Sequence, residues 1–126
     1  MTIQESAEMY LETILILLKK SEVIRSIDIV NYTGYTKPSI SRAVNLLKKN
    51  GYLHIDEKGY ITLTFSGEKI ARDIYERHCI LTDVLVTLGI NEQTAKQDAC
   101  KIEHVINDET FNKIKEAFLK LNPEDI

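Results

Sequence analysis

This chain has few cysteines, prolines and glycines, and no tryptophan. Its 126 residues include 2 cysteines, 2 prolines and 5 glycines. Two cysteines argue against the disulfide framework of a small secreted domain, and three glutamates within the first thirteen residues argue against a secretory leader. No apolar run approaches the roughly 20 residues that a membrane-spanning helix needs. These absences predict a cytoplasmic protein, long enough for one core or two very small modules.

Positive charge is concentrated in one window of an otherwise acidic chain. The net charge is −3 at pH 7, and residues 71–126 carry 7 basic and 11 acidic side chains. The segment 29–55 has no acidic residue and four basic ones, Lys37, Arg42, Lys48 and Lys49. Such a window suggests a face turned toward an anion. Four positive charges are also common on an ordinary solvated surface, so the basic segment alone is weak evidence for an anionic partner.

The first part of the chain predicts two helices and a tight turn. Residues 5–20 have helical periodicity and end in two lysines, which complement the negative end of the helix dipole. A short second helix fits residues 26–33, with Ser26 as its cap. Gly34 then supplies the positive φ that a tight turn needs.

A third helix is predicted from Thr36, its cap, to the stop signal at Asn50–Gly51. Pro38 falls in its first turn, where the missing N–H costs nothing. One face carries small, hydroxyl, amide and basic side chains, and the opposite face is apolar. The apolar face consists of Ile40, Val44 and Leu47. Two short alternating runs follow, at residues 52–55 and 60–63, around a hairpin turn. Helix, turn, helix and hairpin together are typical of a winged helix-turn-helix.

Three further helices are predicted after the hairpin. The first runs from a cap at Thr64 or Ser66 to about Leu88, and the second covers about residues 92–106. The third begins after Asn107–Asp108. Three helices of this length cannot bury all their apolar surface alone. We therefore expect them to form a two-fold dimer interface.

The fifth predicted helix carries three donor side chains on one face. Cys100, Glu103 and His104 stand at i, i+3 and i+4, so a thiol, a carboxylate and an imidazole lie side by side. Groups of these types can bind a divalent metal together. The first helix repeats the i, i+3 spacing with Met9 and Glu12. The alternative is structural, with Cys100 as a small core residue and Glu103–His104 as a solvated helical edge.

The order of these features resembles the diphtheria toxin repressor family of metal-dependent transcriptional regulators. The resemblance covers residues 5–121 and is carried by four segments: Glu8–Leu11, Leu63–Gly67, Arg77–His78 and Asp98–Ile106. It implies a mainly α fold with a small β-hairpin wing. An N-terminal winged helix-turn-helix would occupy residues 1–70, and a helical metal-binding and dimerisation domain would occupy residues 71–126. Because the chain stops at Ile126, the resemblance implies the compact form without the SH3-like domain of longer iron-responsive members.

The resemblance also implies a metal site. Met9, Cys100, Glu103 and His104 match the primary site of the iron-responsive branch, whereas the manganese branch has carboxylates in place of Met9 and Cys100. Sulfur donors favour Fe²⁺, Co²⁺ or Ni²⁺ over Mn²⁺. Fe²⁺ is therefore the expected ion, and Mn²⁺, Co²⁺, Ni²⁺ and Zn²⁺ are the other candidates.

A second metal site is implied by Glu12 and His78. His78 matches a histidine ligand shared by both branches, and Glu12 matches a carboxylate ligand of the manganese branch. Thr82 and Lys96 stand where the iron branch supplies further ligands. A hydroxyl is a poor metal ligand and an ammonium group repels a cation, so the usual set of ligands for the second metal is incomplete. The alternatives are a solvated glutamate at position 12 and a satisfied core imidazole at position 78.

The resemblance places the third helix in the major groove of double-stranded operator DNA. The residues that match DNA-contacting positions there are Thr36, Pro38, Ser39 and Arg42. Arg42 can pair with guanine or with phosphate, and Lys37 and the wing-tip Lys58 are candidate phosphate contacts. A metal that ties the reading module to the dimerisation module would select one spacing of the two reading helices in a homodimer, and so act as corepressor.

Two other functions compete with this one. A metal-independent winged-helix regulator would use the cysteine-bearing segment only as core. A small metalloenzyme could use Glu103 as a base, but the chain has no HExxH, no glycine-rich phosphate loop and no CxxC. A catalytic metal also needs an open coordination position, whereas the implied ligand set is nearly closed. We therefore expect a repressor and not an enzyme.

Overall fold

The computed structural model describes the backbone of residues 3–121 and the side chains of residues 5–121. Within this range the chain forms six helices and a two-stranded antiparallel sheet. It divides into two compact units, the first ending at Asp73 and the second beginning at Ile74. In chain order the elements are α1 (Ile3–Lys20), α2 (Ser26–Thr33), α3 (Lys37–Lys49), β1 (Leu53–Ile55), β2 (Ile61–Leu63), α4 (Phe65–Thr87), α5 (Glu92–Val105) and α6 (Asp108–Leu121). The mainly α fold with a hairpin wing is confirmed.

The start of α2 differs from the sequence prediction. Arg25, not Ser26, is the N-cap residue, and the Asp28 carboxylate accepts a hydrogen bond of 2.7 Å from the Arg25 backbone N–H. Ser26 is therefore the first helical residue, and its predicted capping role is wrong. The predicted end of the helix is confirmed, because Gly34 has a φ of 77° and its N–H donates to the carbonyl of Val30 at 2.8 Å.

Helix α3 begins and packs as its sequence predicts. The Thr36 hydroxyl accepts a hydrogen bond from the Ser39 N–H at 3.3 Å, and Pro38 lies in the first turn. The predicted apolar face is buried and consists of Ile40, Val44 and Leu47. The basic and hydroxyl-bearing face is consequently left on the surface of the first unit.

The wing is a short hairpin pinned at both ends. Strands β1 and β2 pair antiparallel, with Leu53 opposite Leu63. The Asp56 carboxylate closes the turn by accepting hydrogen bonds of 2.9 Å from the backbone N–H groups of Lys58 and Tyr60. At the open end, the Thr64 N–H donates to the carbonyl of Tyr52 at 3.1 Å. Next to the turn, the Ile61 N–H also donates to the carbonyl of Ile24 at 2.9 Å.

The junction between the wing and α4 is a close backbone contact. The Thr64 hydroxyl donates to the carbonyl of Gly51 at 2.7 Å and accepts from the N–H of Gly67 at 3.1 Å, so the predicted Thr64 cap is confirmed. A Cβ atom at Gly67 would lie 2.2 Å from the carbonyl oxygen of Tyr52. Only glycine fits at this position without displacing the backbone of the hairpin.

The second unit has a small helical core. Leu81, Ala99 and Phe111 are buried together and come from α4, α5 and α6. The half-buried side chains packed around them are Ile80, Ile102, Ile106 and Ile114. Among the described residues, no helix is long and apolar enough to cross a membrane.

Candidate metal centre and nucleic-acid interface

Glu103 is the centre of a polar cluster inside the second unit. Its side chain is completely buried. His78 Nδ1 on α4 lies 2.9 Å from Glu103 Oε2, and His104 Nε2 lies 3.3 Å from Glu103 Oε1. The structure therefore brings three of the predicted ligands together, with one carboxylate oxygen facing each imidazole.

The local sequence explains why this carboxylate is buried. Asn91 caps α5 by accepting a hydrogen bond of 2.9 Å from the N–H of Gln93. The buried face of the helix then runs through Ala95, Ala99 and Glu103, which are spaced four residues apart. Two alanines let the helix approach its neighbours closely, and the third position of the same face carries a carboxyl group instead of a methyl group.

The donor set of this cluster fits a divalent transition metal. Carboxylate and imidazole are ligand types that Mn²⁺, Fe²⁺, Co²⁺ and Zn²⁺ all accept. A buried carboxylate needs a nearby cation or hydrogen-bond donors, because removing its charge from water is costly. The His78 ring is a hydrogen-bond partner of Glu103, and a metal ion between the same groups would supply the positive charge.

The structural alternative for the α5 residues is not supported. Glu103 is buried and the His104 side chain is only 6% exposed, so these residues do not form a solvated edge. Cys100 is exposed on α5 and is not a core residue. It stands one helical turn before His104, and its coordination of a metal stays a prediction.

The predicted ligands on α1 lie in the first unit. Met9 is half-buried and Glu12 is buried, three residues apart on the helix. The Tyr35 hydroxyl lies 3.9 Å from Met9 Sδ, and the rings of Tyr10 and Tyr35 meet edge to face at 6.3 Å. Burial, together with the nearby Tyr35, raises the pKa of Tyr10. Metal binding by Met9 and Glu12 stays a prediction.

The predicted DNA-contacting residues lie at the start of α3 and on the wing of the first unit. All are exposed except Ser39, which is half-buried; the exposed ones are Thr36, Lys37, Pro38, Arg42 and Lys58. Ser39 Oγ also accepts a hydrogen bond of 2.9 Å from the Thr36 hydroxyl. Thr36 and Ser39 thus have a structural role in the cap, and the rest project side chains that are available to an anionic partner.

Sequence reasoning did not identify the roles of Tyr35 and Arg77. Tyr35 is 26 residues from Met9, so only the folded first unit reveals their contact. From the sequence, Arg77 contributes only to the Arg77–His78 segment of the resemblance, yet its guanidinium bonds to α5 and to the first residue of α6. A basic residue directly before a predicted ligand was the available signal.

Both units match domains of one regulator family. Residues 2–61 match the iron dependent repressor N-terminal DNA binding domain, and residues 64–123 match the iron dependent repressor metal binding and dimerisation domain. An HTH-type transcriptional regulator of Methanocaldococcus jannaschii is 30% identical over 113 residues, which are 88% of this chain and 90% of that protein.

Two further similarities agree with these matches. The HTH-type transcriptional regulator MntR of Geobacillus thermodenitrificans is 30% identical over 109 residues, covering 86% of this chain and 77% of MntR. A solved manganese-dependent transcriptional repressor in complex with manganese aligns with a TM-score of 0.80 at 25% identity, over 88% of this chain and 51% of that one. The chain thus spans about half the length of this solved repressor. These relatives are regulators and not enzymes, and the chain belongs to the diphtheria toxin repressor family of metal-dependent transcriptional regulators.

Proposed function

We propose that the corepressor of this regulator is a divalent metal ion bound by Met9, Cys100, Glu103 and His104. The observation that carries the proposal is the buried Glu103 carboxylate with an imidazole at each oxygen, inside the unit that matches a metal-binding domain. A bound ion would neutralise this carboxylate. Its ligand Met9 on α1 would make the DNA-reading unit respond to metal.

We further propose that Fe²⁺ is bound in preference to Mn²⁺. Thioether and thiolate donors are softer than carboxylates, and Mn²⁺ prefers oxygen ligands. The relative MntR and the solved manganese complex are named for manganese, so the comparisons support a divalent metal without favouring iron. The preference therefore rests on the sulfur atoms of Met9 and Cys100 alone.

A second ion is proposed at Glu12 and His78. The short distance between His78 and Glu103 supports a carboxylate that bridges two ions. Thr82 is 8% exposed, and its hydroxyl has no hydrogen-bond partner among the described residues. A buried hydroxyl in that state could bind a water molecule of the ion's coordination sphere, although it is a poor ligand itself.

We propose that α3 reads the major groove of operator DNA, with Arg42 as its principal base or phosphate contact. Thr36, Pro38 and Ser39 would lie against the backbone at the same helix end, and Lys37 and Lys58 would meet phosphates. The exposure of Arg42, Lys37 and Lys58 supports this assignment. The matched dimerisation domain supports a homodimer. Because its proposed partner is operator DNA, we propose that the protein acts in the cytoplasm.

The test is a metal titration of DNA binding. The purified protein first selects duplexes from a random-sequence library in the presence of Co²⁺. Fluorescence anisotropy then measures the affinity of a selected duplex with Fe²⁺ (under anaerobic conditions), Mn²⁺, Co²⁺, Zn²⁺ or a chelator, and a scrambled duplex is the control. We expect binding only with metal, and at lower concentrations of Fe²⁺ and Co²⁺ than of Mn²⁺.

Each proposal has its own contrary result. Tight operator binding in the presence of chelator would support the metal-independent regulator instead. Stronger activation by Mn²⁺ than by Fe²⁺ would contradict the proposed preference while leaving metal dependence intact. A stoichiometry of one ion per chain would contradict the second site.

A further inference from the structure

We propose that Arg77 is a positioning residue for the metal ligands on α5, an inference that rests on the proposed function. Arg77 lies on α4 in the second unit, and its side chain is 15% exposed. Its Nη1 donates to the carbonyl of Ile106 at 2.8 Å and to the carbonyl of Glu103 at 3.4 Å. Its Nη2 donates to the carboxylate of Asp108, the first residue of α6. The guanidinium also lies 5.2 Å from the centre of the Phe111 ring.

These contacts hold the end of the helix that carries the ligands. Helix α5 ends at Val105, so Glu103 and His104 lie in its last turn. The last carbonyls of a helix have no partner within the helix, and terminal turns fray. A guanidinium offers five donors in a rigid fork. Arg77 therefore satisfies two of these carbonyls and places a positive charge where the helix dipole is negative.

Arg77 and His78 fix Glu103 from two directions. Arg77 contacts the backbone carbonyl of Glu103, while its neighbour His78 contacts the carboxylate of the same residue. One turn of α4 thus sets both the position of the Glu103 backbone and the orientation of its side chain. Metal ligands need such support, because loss of an outer-shell partner typically lowers metal affinity about 10- to 100-fold.

A neighbouring ion pair provides the matched control. Glu76 precedes Arg77 on α4, and its carboxylate accepts a hydrogen bond of 3.0 Å from Lys115 Nζ on α6. This pair joins α4 to α6, and neither of its residues belongs to α5. Glu76→Gln removes a charged contact from the same turn of α4, so it reports the general effect of weakening the packing of the unit.

The experiment compares Arg77→Lys, Asp108→Asn and Glu76→Gln with the wild-type protein. Co²⁺ is the probe, since its visible absorption reports both affinity and coordination geometry. Hydrogen exchange of the metal-free protein reports the opening of the last turn of α5, and thermal unfolding reports overall stability. Asp108 is 86% exposed, so Asp108→Asn loosens Arg77 while the core stays intact.

We expect Arg77→Lys to weaken Co²⁺ binding about tenfold or more, to alter the Co²⁺ spectrum and to speed exchange at the end of α5. Asp108→Asn should have the same effects to a smaller degree, and Glu76→Gln should bind Co²⁺ like the wild type. If Arg77→Lys does not fold, the results for Asp108→Asn alone test the role of Arg77. Wild-type Co²⁺ affinity, spectrum and exchange in Asp108→Asn and in any folded Arg77→Lys would overturn the role of Arg77. An absence of Co²⁺ binding by the wild type would instead contradict the metal site itself.

Discussion

Glu103 shows how one residue can give a helix face a chemical function. Ala95 and Ala99 precede it on the same buried face of α5, and an apolar side chain at position 103 would continue that packing. Removing an ionised carboxylate from water costs several kcal/mol unless it is paired and hydrogen-bonded. Its hydrogen bond with His78 offsets part of that cost, and the nearby His104 ring completes a group of donors suited to a metal. The unfavourable burial is therefore consistent with a binding role.

The sequence predicts only part of this cluster. The i, i+3, i+4 spacing places Cys100, Glu103 and His104 on neighbouring positions of α5, which the helix confirms. Periodicity cannot show that Glu103 is buried while Cys100 is exposed, because that depends on which α5 face meets α4 and α6. Nor can spacing bring in His78, which lies 25 residues away and was identified only through the family resemblance.

The two cysteines allow a matched test at this scale. Cys79 and Cys100 are both exposed, so replacing either should change the free energy of unfolding by no more than about 0.5 kcal/mol. Cys100→Ala removes a proposed soft ligand and should weaken Co²⁺ or Fe²⁺ binding by at least about tenfold, or about 1.4 kcal/mol. Cys79→Ala should bind like the wild type. Equal Co²⁺ affinities for the two variants, measured by visible absorption, would remove Cys100 from the ligand set.

At the scale of elements, capping and close contacts decide where helices begin. The Thr36 cap, the Gly34 turn and the buried face of α3 are local features, and the sequence predicts all three. Ser26 is not the cap, because the Asp28 carboxylate accepts a hydrogen bond from the Arg25 N–H and the helix begins one residue earlier. The local sequence allows a cap at either position. The approach of Gly67 to Tyr52 depends on how the hairpin packs, so periodicity could not reveal it.

The Gly67 contact gives a stability prediction. Gly67→Ala places a methyl group 2.2 Å from the carbonyl oxygen of Tyr52, a backbone atom that cannot rotate away. We expect the free energy of unfolding to fall by roughly 1–3 kcal/mol, despite the better helix propensity of alanine. Urea unfolding followed by circular dichroism measures the change. Ser66→Ala, an exposed substitution one residue earlier on α4, is the control and should stay within about 0.5 kcal/mol. If Gly67→Ala is as stable as that control, the backbone at Tyr52 can move away from the added methyl group at little cost.

At the scale of the whole molecule, the important property is the pairing of two chains. Several large apolar side chains of the second unit are exposed, namely Val86, Leu88, Val105 and Leu121. Exposed apolar surface of this kind often marks an interface, and the unit matches a dimerisation domain. A two-fold dimer would present two copies of the proposed reading helix α3 to DNA, so every proposed contact would be made twice.

This doubling predicts the salt dependence of DNA binding. Each phosphate contact contributes about −0.9 to the slope of log K against log salt concentration. Lys37 is exposed at the start of α3, and Lys37→Ala removes its proposed phosphate contact from both chains. The slope should therefore become shallower by about 2, not about 1, while the affinity for Co²⁺ is unchanged. Fluorescence anisotropy at several salt concentrations measures the slope, and light scattering should give twice the chain mass of 14.4 kDa.

The control removes the same charge from another surface. Lys113 is exposed on α6 of the second unit, so Lys113→Ala should leave the slope within experimental error of the wild type. A slope change of about 1 for Lys37→Ala would indicate that a single chain meets the phosphate in each complex. An unchanged slope would show that Lys37 does not contact phosphate. Helix α3 would then have to contact DNA through Arg42 and not through its first residue.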